Sequence, residues 1–361
     1  MNLVNGQIAA ICVTVAVAVL LGAGPPVSPI PLRAQNAVEP DRPPPPGRMV
    51  DVGGYRLHLF CTGSGSPTVV LLHGFGGYSF HWSLVQSQLA LTSRVCAYDR
   101  AGQAWSDPGP VPRGLQAITN ELHTLLDRSG ERAPFVLVGQ SWGGLIPRLY
   151  VAQHPNDVAG AAFVDATHED LWLWLNGFTL QPRLASDADW ARVRAPRARD
   201  GGPPVGAGAP SASSGPPAPM PPRPVEAPFD RLGPMERQWH QWAASRLPSF
   251  TGGDWNDIRE DLRAVAAARG RSAHPFGRMP VFVLSAGRDD FEDEKEASAA
   301  TQRAQAARGQ ADLATLSSNA RHLVAANSGH LIQLDEPDLV VEAIRQVIDS
   351  ARKKTPLCCR Q

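Results

Sequence analysis

Residues 134–150 read PFVLVGQSWGGLIPRLY. Four apolar residues, Phe135–Val138, lead into Gly139-Gln140-Ser141-Trp142-Gly143, and an apolar stretch follows. The spacing predicts a buried strand, a sharp turn carrying a serine, and a helix. Glycines two positions either side of Ser141 suit a turn so tight that larger side chains would collide. The serine itself is forced into a strained backbone conformation. Pro147 interrupts the predicted helix where it would remove the bond to the Gly143 carbonyl, so a bend is expected between Gly143 and Pro147.

Short apolar runs alternate with longer amphipathic ones on both sides of this stretch. MVDVGGYRLHLFCTG predicts a hairpin turning at Gly53-Gly54. PTVVLLHG, RVCAYD, PFVLVG, AAFVD from Ala161, MPVFVLSAG from Met279 and RHLVAANSGH from Arg321 predict strands. Helices are expected near Phe80–Leu91, over Leu115–Arg128, after Ser141, and from Pro337 to about Arg352. Strands buried on both faces and separated by helices predict an α/β domain with a mostly parallel sheet.

More than a hundred residues separate Asp165 from Met279, far beyond ordinary loop length, so this insertion carries structure of its own. Helices are plausible at Leu171–Phe178, Arg231–Ser245 and Trp255–Arg269. Residues 201–228 are over half Gly and Pro and read as disordered. The segments are therefore 1–35, a leader; 36–48, a Pro-rich linker; 49–167 and 279–354, the core; 168–278, the insertion; and 355–361, a tail.

The leader contains an uninterrupted weakly apolar run, Ile8–Ala23, followed by prolines. Its length and flanks suggest a cleaved export signal, with a retained anchor as the alternative, and thus a periplasmic or secreted protein. In an oxidising compartment Cys61 and Cys96 could pair; otherwise they are two small buried residues. Lys plus Arg and Asp plus Glu both number 34, so no charge excess calls for nucleic acid or an anionic surface. Any membrane contact would come through the uncleaved leader.

Ser141 needs a base to take its proton, and His330, on the loop after the last predicted strand, is the candidate. An acid must orient that imidazole. Asp290, beside Asp289 after the penultimate strand, is the first choice, and Asp165 is the alternative. Each also has a structural reading, the acidic first turn of a helix for the former and a cap for the latter. The backbone N–H groups of Phe75 and Trp142 are the expected oxyanion donors. His73 reads as loop-shaping and His322 as structural. No Cys/His spacing fits a zinc site, and no metal or organic cofactor is implied.

With these motifs in order, HG at His73-Gly74, YDRAGQAWSD at Tyr98–Asp107, the serine turn, and SGH at Ser328–His330, residues from about Val50 to Ser350 resemble the α/β-hydrolase family. GQSWGG and YVAQHP are faintly similar to proline iminopeptidases. The resemblance implies an α/β-hydrolase fold with a helical cap inserted after the sixth strand, and the chain order nucleophile, acid, histidine. A serine at the turn argues against relatives that carry aspartate there. Six of the nine tryptophans (Trp172, Trp174, Trp190, Trp239, Trp242, Trp255) fall in the insertion, which favours a small apolar acyl or aromatic substrate. The expected activity is carboxylic ester hydrolysis through an acyl-enzyme. Amide or carbon–carbon bond hydrolysis by the same serine, and a non-catalytic relative that binds apolar ligands, are the alternatives.

Overall fold

The Gly53-Gly54 pair turns the chain as its composition demands. Both glycines have positive φ, +125° and +99°, and they join β1 (Arg48–Asp51) to β2 (Arg56–Thr62) in antiparallel register. The computed structural model describes residues 41–111, 113–175, 178–194, 197–199, 202–205, 224–245, 254–288 and 296–357. The remaining core strands are β3 (Thr68–Leu72), β4 (Val95–Tyr98), β5 (Phe135–Gln140) and β6 (Val158–Val164). Beyond them come the short β7 (Leu173–Leu175), β8 (Phe178–Leu180), β9 (Arg197–Arg199) and β10 (Gly202–Val205), then β11 (Val281–Ala286) and β12 (Ala320–Ala325).

Eight of these strands form one sheet in the order β1-β2-β4-β3-β5-β6-β11-β12. It is antiparallel as far as β4 and parallel from β4 onward. Alternation along each strand supplies two cores. Val69, Leu71, Val136 and Val138 face α1 (Ser83–Leu89) and α9 (Pro337–Lys353), where Val85, Leu89, Ile344 and Val347 meet them. Val70, Leu72 and Leu137 face the other way, onto α2 (Leu115–Arg128) and α3 (Leu145–Gln153) through Leu122, Leu125, Leu149 and Tyr150. Burying each such aliphatic side chain contributes about 1.5–3 kcal/mol, which is why continuous apolar strands settle in the middle of the sheet.

The segment between β6 and β11 holds α4 (Asp187–Arg194), α5 (Pro234–Ala244) and α6 (Asp254–Arg269). Helix at Leu171–Phe178 is corrected: this stretch contributes to the antiparallel pair β7 and β8 instead. Leu171-Trp172-Leu173-Trp174-Leu175 is a short continuous apolar run, which suits a buried strand as well as a helix. The disordered reading of 201–228 is corrected at its start, since Gly202–Val205 pairs with β9; residues 206–223 lie outside the described residues. Trp239 and Trp242 of α5 pack on the core residue Trp105, with ring centroids 5.1 and 5.4 Å away. Trp190 is buried beside Leu180 and Ala185.

A 19-residue helix, α7 (Glu296–Ala314), fills the long separation between β11 and β12; α8 (Ile332–Asp335) precedes α9. Residues 41–47, part of the expected linker, are held against the core. The Trp105 indole donates to Pro43 O at 2.8 Å, and His58 Nε2 meets Pro46 O. Cys61 and Cys96 sit opposite each other on β2 and β4 and form a disulfide with Cα atoms 4.0 Å apart, slightly below the roughly 4.4 Å at which the usual range for bridges begins. No described helix is long and apolar enough to cross a membrane, and the leader lies outside the described residues.

Candidate active site

Strand β5 ends at Gln140, and Ser141 follows with φ of +52°, left-handed backbone that costs a side-chain-bearing residue about 1–3 kcal/mol. The neighbouring glycines make room for this turn. A Cβ on Gly139 would lie 2.5 Å from Gly144 Cα, and one on Gly143 would lie 2.5 Å from both Leu72 O and His73 O. Residues Ser141–Gly144 form one 3-10 turn, and α3 starts afresh at Leu145. Pro147 is therefore the third residue of α3, among the first N–H groups that have no intrahelical partner. What lies between Gly143 and Pro147 is a change from 3-10 to α geometry, with Gly144 and Leu145 both right-handed helical; it precedes the proline, which costs no ladder bond.

The turn touches both loops that the sequence singled out. Thr167 N donates to Ser141 O at 2.9 Å, which ties the loop after β6 to the serine. Asp165, on that loop, also has a positive φ, +41°. Its Oδ1 accepts from Ala286 N at 3.0 Å, and its Oδ2 lies 2.6 Å from His330 Nδ1. That pairing makes Nδ1 the protonated nitrogen of the ring. The other nitrogen, Nε2, lies 3.2 Å from the Gln140 side-chain nitrogen, so this edge of the imidazole faces the serine turn. Asp289 and Asp290 lie outside the described residues.

Gln140 and Arg100 were not singled out by sequence. The Gln140 carbonyl oxygen accepts from Gly74 N at 3.0 Å while its amide nitrogen faces His330. Thus one buried side chain spans the HG loop and the histidine. Arg100, also buried, donates to His73 O at 2.6 Å and to Gly74 O at 2.7 Å, with its guanidinium carbon 5.0 Å from the centre of the Trp142 ring. His73 is buried, and its Nδ1 contacts Gly74 O at 2.9 Å. Burial first, then the charge of Arg100, push its pKa well below the usual histidine value. His73 is therefore a neutral loop residue, and His322 pairs with Ser285 on the neighbouring strand at 2.9 Å.

Behind the loop that follows β6 lies a charge cluster with Arg148 and Glu169 buried at its centre. Glu169 meets Arg148 of α3 at 2.6 Å, and His168 meets Asp312 of α7 at 2.8 Å. Arg269 of α6 reaches both carboxylates. Burial acts to raise the Glu169 carboxyl, but the hydrogen bond and charge of Arg148 prevail and hold it at about 2. These pairs fasten the β6 loop to the serine-bearing helix and to two helices further along the chain. Its residue types gave no hint of this, because their partners are up to 144 residues away.

A cavity of about 780 Å³ opens beside His330 and Asp165, walled by Leu171, Trp172 and Leu173 on one side and by α7 residues, including Gln305 and Gln310, on the other. It meets the site at the histidine and aspartate end. Elsewhere, His123, His154 and Asp157 bring ligand atoms within 4.8 Å of one another. The two rings stack face to face, 3.9 Å apart and within 3° of parallel, so their in-plane lone pairs run side by side instead of converging on an ion.

Comparison with known proteins agrees with this geometry. The Alpha/beta hydrolase family model matches residues 69–343. An AB hydrolase superfamily protein of Gibberella zeae is 26% identical over 79% of this chain and 87% of its own length. A probable transporter of Hormonema carpetanum, efuK, is 33% identical over 34% of this chain, and that match spans only 18% of the transporter. Among solved structures, a bromoperoxidase from Bacillus anthracis superposes with a TM-score of 0.55 at 15% identity, over 84% of this chain and 99% of its own. Sheet order, serine turn and family match together establish that the chain belongs to the alpha/beta hydrolase family.

Proposed function

We propose that this protein is a serine hydrolase that cleaves carboxylic esters through an acyl-enzyme, with Ser141 as nucleophile, His330 as base and Asp165 as the orienting acid. The observation that carries this reading is the 2.6 Å contact of Asp165 Oδ2 with His330 Nδ1, on a loop bonded to Ser141 itself. A proton held on Nδ1 leaves Nε2 as an acceptor; the Gln140 amide nitrogen lies 3.2 Å from it, so the Ser141 hydroxyl takes over that lone pair from Gln140 when the proton is transferred. Ser141 Oγ then attacks the carbonyl carbon, and the Phe75 and Trp142 N–H groups receive the negative charge on the carbonyl oxygen. His330 returns the proton to the departing alcohol. Water repeats the sequence on the acyl group and frees the acid and Ser141.

The apolar wall at Leu171, Trp172 and Leu173 supports an acyl or aromatic group in the cavity beside His330. The Cys61–Cys96 bridge supports an exported location, where such bonds persist. A fluorophosphonate probe and p-nitrophenyl esters test the reading. The wild type is expected to be labelled and to turn over ester, and Ser141→Ala to lose both. A folded wild type that neither reacts with the probe nor hydrolyses any ester of a chain-length series would refute it.

A further inference from the structure

The guanidinium of Arg100 lies buried inside the protein, and its two described hydrogen bonds both end on carbonyl oxygens, those of His73 and Gly74, not on a carboxylate. A buried cation is costly to keep unless something depends on it. Burial lowers its pKa to about 10, which leaves it charged at neutral pH. The carbonyl it holds at 2.7 Å, Gly74 O, belongs to the same peptide plane as the N–H of Phe75. In a planar trans peptide these two groups point in opposite directions. Fixing one fixes the other.

The site supplies further constraints on that plane. Gly77 N donates to Gly74 O at 3.2 Å, and His73 Nδ1 contacts the same oxygen at 2.9 Å. Gly74 also abuts the serine: a Cβ built there would lie 2.8 Å from Ser141 Cβ. The other face of the arrangement is Trp142, whose ring sits 5.0 Å from the Arg100 guanidinium carbon, within cation–π reach. One side chain therefore bears on both residues whose N–H groups are the oxyanion donors in the serine-hydrolase reading.

We propose that Arg100 is a positioning residue for the oxyanion site: its two-pronged guanidinium turns the Gly74–Phe75 peptide so that the Phe75 N–H faces the substrate carbonyl above Ser141, and its flat face steadies Trp142. The proposal rests on the serine-hydrolase reading. It predicts that Arg100 acts on the transition state, where the negative charge develops, and not on ground-state binding.

Arg100→Met and Arg100→Lys, each checked by circular dichroism and thermal melting, are compared with wild type on a p-nitrophenyl ester and with a phenylboronic acid inhibitor that mimics the tetrahedral intermediate. Loss of one oxyanion donor lowers kcat by about 100-fold or more, and that fall is expected for Arg100→Met with KM changed less than about threefold. Boronate affinity should fall in parallel. Lys retains the charge but lacks the planar fork, so Arg100→Lys should fall by about tenfold; if the Met variant does not fold, the Lys variant decides. A folded variant whose kcat stays within about threefold of wild type, or whose loss lies wholly in KM, overturns the role of Arg100 while leaving Ser141 catalysis intact. A wild type inert to ester and fluorophosphonate removes the hydrolase reading, and the proposal with it.

Discussion

Replacing Asp165 by Asn tests the assignment of the acid most sharply, because the substitution keeps size and shape and alters a single hydrogen-bonding group. The carboxylate uses both oxygens as acceptors, from Ala286 N at 3.0 Å and from His330 Nδ1 at 2.6 Å. An amide keeps only one acceptor. If its oxygen stays on Ala286 N–H, its NH2 group faces His330 and forces the imidazole proton from Nδ1 to Nε2. That occupies the lone pair needed by Ser141. The flipped amide would instead aim its NH2 at the Ala286 N–H and leave a backbone donor unsatisfied, at a cost of about 1–3 kcal/mol. The first orientation keeps the backbone bond but gives the wrong tautomer, whose Nε2–H meets the Gln140 amide nitrogen 3.2 Å away; either orientation therefore sets two donors against each other and spoils the His330 site.

In the serine-protease template an Asp-to-Asn change of this kind lowers kcat by about 10⁴-fold, equivalent to roughly 5 kcal/mol of transition-state stabilisation. We expect Asp165→Asn to lose 10³- to 10⁴-fold in kcat on a p-nitrophenyl ester, at a melting temperature close to wild type. Asp290→Asn serves as the paired control. A folded Asp165→Asn enzyme within about tenfold of wild-type kcat would refute the reasoning, as would a large loss confined to Asp290→Asn.

Two further predictions concern stability. The Cys61–Cys96 bridge closes a sequence separation of 35 residues, for which the loop-entropy relation gives about 4 kcal/mol, so the Cys61→Ser/Cys96→Ser variant should shift its urea midpoint accordingly. A shift worth less than about 1 kcal/mol, or two reactive thiols in the oxidised wild type, would count against the bridge. Buried His73 and His81 both have pKa values pushed well below the ordinary 6.5, first by burial and then by neighbouring charge, and His240 of α5, 3.1 Å from His81, is lowered by burial as well. Folded, these rings resist protons that the unfolded chain accepts. Their contribution is thus complete above about pH 6.5 and is lost as pH falls below it, by up to about 3 kcal/mol per pH unit for the two buried rings. Urea midpoints measured from pH 7.5 to 5 should decline, with Glu169 and Asp312, both held at about 2, contributing loss only at lower pH. A flat profile would show that these rings are not buried neutral.

Much of the architecture was legible because its signals are local. The strands β3, β5 and β11 are unbroken apolar runs, α2 begins and ends where its periodicity does, and the β1–β2 turn follows from two adjacent glycines. Where local signals compete, reading fails. Leu171–Leu175 is a five-residue apolar run whose periodicity does not separate helix from strand, and the strand pair forms. The helix α7 is rich in Ala and Gln with no sustained apolar stripe, so its sequence does not announce the element that carries β11 across to β12.

Within the site, the limit is set by distance along the chain. Ser141 and His330 each sit in a motif that makes them candidates without a partner. Asp165 does not, because its contact with His330 Nδ1 spans 165 residues of chain. Strand order supplies the contact that sequence does not show: β11 lies beside β6, and the N–H of Ala286 at its end holds Asp165 Oδ1. The same logic hid Arg100. In YDRAGQAWSD it is one charged residue after a strand, and only the pairing of β4 with β3 carries it under the HG loop. What a sequence states plainly here is which residues can do chemistry; which backbone groups they hold in place is fixed by the order of the strands.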